Sequence, residues 1–251
     1  MIIRPAAFAL LAGLALSAVP AAAGEDDGAL SAAQKREVEK TVRDYLSTNP
    51  EVLLKAIQLL RLQQEDQARQ KVSDALFTLR GELENDPASP VGGNPEGDVT
   101  IVEFYDYNCG FCKRVFPTVM KLLNEDGNIR YVFKEYPILG PQSVFAARAA
   151  LAAWKLDEGK FMAFHTAMME IRGSLTEKRV MKTAEDAGLD VATLRQGMAD
   201  GEIDRILENN HALARSLNIN GTPGFVIGDQ LVPGAIDVET MRALVEKARR
   251  G

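Results

Sequence analysis

The only two cysteines in 251 residues, Cys109 and Cys112, stand two residues apart directly after the apolar run Val99–Tyr105. A fold stapled by disulfides would spread its cysteines, and a structural zinc site would need more thiol or imidazole ligands. A thiol pair at a strand-to-helix junction instead suits reversible dithiol–disulfide exchange. In that position Cys109 lies at the helix N-terminus, where unpaired amides and the helix dipole favour a thiolate. Cys109 is therefore the expected nucleophile, and Cys112, one turn further on, the resolving thiol. Gly110 and Phe111 between them are the expected redox-tuning pair, and neither places an imidazolium between the sulfurs.

The pattern around this junction predicts an α/β chain. Val99–Tyr105 reads as a strand, 112–123 as a helix and 129–134 as the next strand. Residues from about 141 to 217 read as a run of five helices. A strand follows at 224–227, a turn at 228–230, a possible pairing at 231–232 and a last helix at 238–249. This β-α-β, helical block, β-β-α order is that of a thioredoxin-like fold with a helical insertion. The domain is expected to span 98–250, behind a breaker-rich linker at 85–97.

The N-terminus reads as an export signal over residues 1–23: Arg4, a small-apolar stretch from Ala6 to Val19, and Ala21 and Ala23 before a cut at Gly24. An uncleaved anchor is the alternative. Residues 24–33 are polar and read as flexible. The formal charge of -6 argues against nucleic acid as a partner. Residues 34–84 carry apolar side chains at helical spacing, with Asn49 as a cap and Pro50 at a first helical position. Leu53, Ile57 and Leu60 form a seam for self-association, the alternative being an arm folded back on its own domain. The polar stretch 61–71 reads as either an exposed shaft or a weak helix.

Glu103 is an acid inside an apolar strand, on the face shared with Ile101 and Tyr105. Buried there, its pKa should rise, and it could exchange a proton with Cys112; an edge-strand acid facing water is the alternative. Lys134, ending the next strand, is a candidate partner for Glu103 or a solvent-facing lysine. Thr222-Pro223 precedes the strand at 224–227. Proline lacks the N–H that would compete with an extended substrate pairing to Thr222, and no metal ligand is placed beside the thiols. His165, His211, Trp154 and the methionines at 162, 168 and 169 read as packing residues, with a methionine-lined peptide groove as a further possibility.

In this order the motifs resemble the DsbA-like family of periplasmic thiol–disulfide oxidoreductases, over about 95–248. The segment Phe104-Tyr105-Asp106-Tyr107-Asn108-Cys109-Gly110-Phe111-Cys112-Lys113 resembles that family's active-site run, Glu103 matches its buried acid, and Lys134-Glu135-Tyr136-Pro137-Ile138 its second-strand ending. The resemblance implies that Thr222-Pro223 faces the cysteines with a cis peptide bond. The arm and the Gly-Phe dipeptide are most similar to the suppressor-of-copper-sensitivity protein C (ScsC) branch. That implies a periplasmic homo-oligomer, a trimer before a dimer, which acts on cysteines of exported proteins and is kept reduced by a membrane redox partner. It also implies no cofactor beyond the Cys109–Cys112 pair. Isomerase or reductase work leads, because the strongest oxidants of the family carry Pro-His between the cysteines and valine before the proline. A net oxidase recharged at the membrane and a Cu(I)-binding redox module are the alternatives.

Overall fold

The computed structural model describes residues 30–250; the export signal expected over 1–23 and most of the stretch 24–33 expected to be flexible lie outside them. The chain divides after Leu60 into two compact units. The first holds α1 (Ala32–Thr48) and the start of α2 (Pro50–Glu84). Ser31 caps α1 through a reciprocal pair with Gln34. Asn49 joins the two helices: its side-chain amide donates to the Tyr45 carbonyl of α1 at 2.8 Å, and its own carbonyl accepts from the Val52 amide of α2 at 3.1 Å. Residues 61–71 are fully helical and all exposed, the shaft alternative of the two.

The second unit is an α/β domain. Its strands are β1 (Val91–Gly93), β2 (Val99–Tyr105), β3 (Ile129–Glu135), β4 (Gly224–Ile227) and β5 (Gln230–Pro233). They form one sheet in the order β1-β3-β2-β4-β5, parallel only between β2 and β3. Between β2 and β3 runs α3 (Gly110–Glu125). Between β3 and β4 lie α4 (Pro141–Leu156), α5 (Glu158–Glu170), α6 (Glu177–Asp186), α7 (Val191–Met198) and α8 (Gly201–Ser216), and α9 (Val238–Arg250) ends the fold. This is the thioredoxin-like topology with a helical insertion that the sequence predicts.

Alternation along β2 splits the core in two. Ile101 and Tyr105 join α3, α9 and the helices α4–α7 on one face. Val102 and Phe104 join Leu213 and Ala214 of α8, Leu217 just after it, and Leu76 and Leu83 of α2 on the other. The last turns of α2 are thus part of this core.

The segment expected as a linker contains β1. Val91 pairs with Val132, Gly92 with Tyr131 and Gly93 with Arg130. Its glycines are required by proximity: a Cβ on Gly92 would come within 2.9 Å of the Phe133 ring. One on Gly93, whose φ is +67°, would come within 2.4 Å of the Ile129 carbonyl oxygen. Glycines that read as breakers are here what lets a strand lie against β3.

Candidate active site

The Asp106-Tyr107-Asn108 turn carries the chain from β2 into α3. Asp106 is buried, and its carboxylate accepts from the Asn108 amide at 2.7 Å and from the Ile138 and Leu139 amides at 2.9 and 3.0 Å. Its carbonyl accepts from the Cys109 amide at 2.9 Å. One aspartate thus ties the cysteine loop to the chain leaving β3. Sequence reasoning missed this role, because two of its partners lie more than thirty residues away.

Cys109 is the N-cap of α3 and Cys112 sits in its first turn; neither is in a disulfide. The Cys112 amide points at Cys109 Sγ at 3.5 Å, and the Cys109 thiol donates to the Thr222 carbonyl at 3.2 Å. The Cys109 pKa is lowered to about 5. The Cys112 side chain is the main cause, followed by the Thr222 side chain and the amides of Cys112 and Phe111, which together outweigh the opposing effect of burial. Cys112 moves the other way, its thiol held well above the ordinary range by burial, the hydrogen bond to Cys109 and the charge of Glu103. The lowered pKa favours the thiolate of Cys109, which gives up its donation to Thr222 on ionising, while Cys112 is favoured as a protonated thiol.

Thr222-Pro223 lies against this pair, and its peptide bond is cis. Phe111 is exposed, with the Arg114 guanidinium 4.5 Å from its ring centroid. A Cβ at Gly110 would meet nothing within 4 Å, so packing does not demand glycine there.

Glu103 lies on the central strand, fully buried, which removes the edge-strand alternative. Its carboxylate accepts from the Tyr131 hydroxyl at 2.7 Å. Burial raises its pKa to about 7; the Tyr131 bond opposes that rise and the Cys109 charge adds to it. Tyr131, the partner found here, was not singled out from the sequence.

Lys134 is not that partner. In the parallel register it stands opposite Phe104, one residue out of step with Glu103, so it projects to the opposite face of the sheet. There it is fully buried and donates to Asp86 Oδ2 at 2.9 Å and to the Glu82 carbonyl at 2.8 Å. Burial lowers its pKa, and the Asp86 carboxylate works against that. The solvent-facing alternative fails as well.

His165 is a packing residue, as expected, but a polar one. It is buried among aromatic rings, shares a 2.8 Å hydrogen bond with the Tyr107 hydroxyl through Nδ1, and is pushed down to about 3 by burial. Met168 and Met169 are buried, and Trp154 packs edge-on to Phe161. Among the described residues, no group of three or more His, Cys, Asp or Glu side chains is arranged to hold a metal ion. A Cu(I) role would rest on the two sulfurs alone.

Comparison with known proteins agrees with this geometry. A thioredoxin-like oxidoreductase from Silicibacter pomeroyi DSS-3 is 46% identical, with a TM-score of 0.66, covering 68% of this chain and 98% of its own. Proteus mirabilis ScsC in a transitional conformation is 34% identical at a TM-score of 0.66, covering 88% of this chain and 99% of its own. The Na(+)/H(+) antiporter NhaA 1 of Salinispora arenicola is 32% identical over 184 residues. That match takes in 72% of this chain but spans only 28% of the antiporter. Residues 34–67 match the model of the copper resistance protein ScsC N-terminal domain. The model of the DSBA-like thioredoxin domain matches residues 100–246, more than half the chain, and the chain belongs to that family.

Proposed function

We propose that this chain is a thiol–disulfide oxidoreductase of the periplasm that rearranges or reduces disulfides in exported proteins. The observation that carries the reading is the placement of the pair: Cys109 caps α3 with the Cys112 amide pointing at its Sγ, which helps lower its pKa to about 5, while Cys112 is buried one turn inside the same helix and held as a thiol. The Cys109 thiolate attacks a substrate disulfide, forming a mixed disulfide and releasing the other substrate sulfur as a thiolate. A second substrate thiol can then displace Cys109, which completes an isomerisation. Otherwise Cys112 passes its proton towards Glu103 and attacks Cys109, releasing reduced substrate and leaving the Cys109–Cys112 disulfide. A membrane dithiol partner then restores the pair. Thr222 and Pro223 dock the substrate backbone beside Cys109, and Gly110 and Phe111 tune the potential. The isomerase side and a homo-oligomer, a trimer before a dimer, are what the resemblance to the ScsC branch implies, and the exposed apolar row Leu53, Ile57 and Leu60 within residues 34–67 supports self-association. Export through residues 1–23 belongs to the same reading.

One observation favours net oxidation instead: a thiol titrating at about 5 is also a good leaving group, so the disulfide form gives up its oxidising equivalent readily. The two are separated by the redox state of the pair in the periplasm, mostly reduced for an isomerase and mostly oxidised for an oxidase. Reactivation of scrambled ribonuclease tests the mechanism. The protein restores activity and Cys109→Ser does not; activity retained by the serine variant would remove Cys109 from the chemistry.

A further inference from the structure

A groove of about 1530 Å³ opens beside Cys109, with Asn108 and Gly110 at its near end. It runs between α3 and the segment from α5 into the connection to α6. This volume exceeds the roughly 300–1,000 Å³ of small-molecule sites and suits a stretch of chain better. Its floor is apolar, built from Phe116, Pro117, Met120 and Met169. Its charged lining is lopsided: Lys113, Arg114, Lys121 and Arg172 against Glu125 and Glu170.

Glu125 is already engaged, 2.7 Å from Arg242 and 3.9 Å from Lys121. Among the described residues, Arg114 and Arg172 form no ion pair. Arg114 lies instead over the exposed Phe111 ring, and Lys113 Nζ is spent on the Ile171 carbonyl. Arg179 adds to the positive field at Lys113. A chain of net charge -6 thus keeps unpaired cations together in the groove that adjoins its nucleophile. Low-dielectric walls focus such a field and raise the local concentration of anionic groups.

We propose that this groove receives a carboxylate-bearing stretch of the protein whose disulfide Cys109 attacks. It would select acidic segments with aliphatic or aromatic side chains for the floor. Arg114 and Arg172 face the carboxylates, while Thr222 holds the backbone on the other side of the sulfur. The proposal rests on the oxidoreductase reading above.

The test uses the reduced protein and three peptides that differ only beside a single cysteine: two Asp or Glu residues, the matching Asn or Gln, or two Lys. Each cysteine is joined to 2-thiopyridine. Attack by the Cys109 thiolate breaks that disulfide and forms the Cys109–peptide disulfide. The electron pair of the broken bond leaves on the pyridine sulfur, which takes a proton from water to give the thione whose absorbance reports the rate. At low ionic strength the acidic peptide should react about tenfold faster than the neutral one, and the lysine peptide more slowly than both. The preference should fade at high salt. Taking acidic-to-neutral ratios within each variant cancels any damage to the cysteine pair. Arg114→Glu with Arg172→Glu should abolish or invert the ratio, whereas Arg205→Glu with Arg215→Glu, the same charge change on exposed α8 positions, should keep it. Equal rates for acidic and neutral peptides, or an equal loss in both double variants, overturn the groove and leave the oxidoreductase reading standing. No release of pyridine thione from any peptide overturns both.

Discussion

Glu103 works against the stability of the fold that holds it. Its carboxyl titrates near 4.5 when free and at about 7 when buried, so folding takes up a proton between those values. Stability therefore falls as pH rises from 4.5 to 7, and above 7 the whole difference of about 3 kcal/mol opposes folding. Glu103→Gln keeps an acceptor for the Tyr131 hydroxyl and removes the ionisation. Above pH 7 it should unfold at higher urea, with a gain of about 2–3 kcal/mol that vanishes towards pH 4.5. The same change should slow resolution by Cys112 on the order of 10²-fold and erase its inflection near pH 7, because the proton acceptor is gone. Equal stability of the two proteins at alkaline pH would refute the buried charge. A retained inflection would show that another base serves Cys112. A residue that destabilises the resting protein while easing one proton transfer fits a functional position better than a packing one.

At the scale of elements, β3 has two different faces. Tyr131 meets Glu103 on the side of the thiols, while Lys134 turns to the opposite side and holds Asp86 and the last turn of α2. Asp86→Asn leaves a buried ammonium without its anion and should destabilise the protein by about 3 kcal/mol in urea. Lys134→Met should cost less, because Asp86 keeps the Ala88 amide and the Ser89 hydroxyl and is partly open to water. Neither change should alter the pH profile of resolution by Cys112; a shifted profile in Lys134→Met would return Lys134 to the catalytic group. The contrast shows which features were legible in the sequence. The parity of β2, the helical block and the thiol pair at a helix start are written in local periods of two and 3.6 and in neighbouring residues. Lys134 was misassigned because its partner lies 48 residues upstream in a segment that reads as a linker. In that same segment, β1 spans only three residues, two of them glycines that look like breakers until the Phe133 ring is placed against Gly92 and the Ile129 carbonyl against Gly93. Asp106 and Tyr131 stayed hidden for the same reason, since their roles come from contacts across the sheet and no local pattern encodes them.

At the scale of the whole molecule, the question is what covers Leu53, Ile57 and Leu60. They are 46%, 50% and 54% exposed, at steps of four and three along α2, and Val38, Val42 and Tyr45 of α1 are as open. Apolar rows at that spacing are buried when helices associate, with coiled-coil-like seams as the simplest solution. The boundary for testing this is not the linker. Leu76 and Leu83 belong to the core of the second unit, each contributing about 2 kcal/mol by burial, and Asp86 holds Lys134. A chain cut near Gly92 would lose these contacts and could fail to fold for reasons unrelated to assembly, whereas a chain beginning at Arg61 keeps the unit whole. Light scattering of residues 24–251 should give several protomer masses, three for a trimer. The chain from Arg61, and the full-length variant with Leu53→Asp, Ile57→Asp and Leu60→Asp, should each give one. The aspartate variant separates assembly from truncation: if it keeps the larger mass, the seam lies elsewhere, and if 24–251 itself is monomeric, there is no seam. Because the dithiol site is built entirely within the second unit, the monomeric variants should still form mixed disulfides with a peptide. Isomerisation of scrambled ribonuclease should fall in them if several joined dithiols are needed on one misfolded chain.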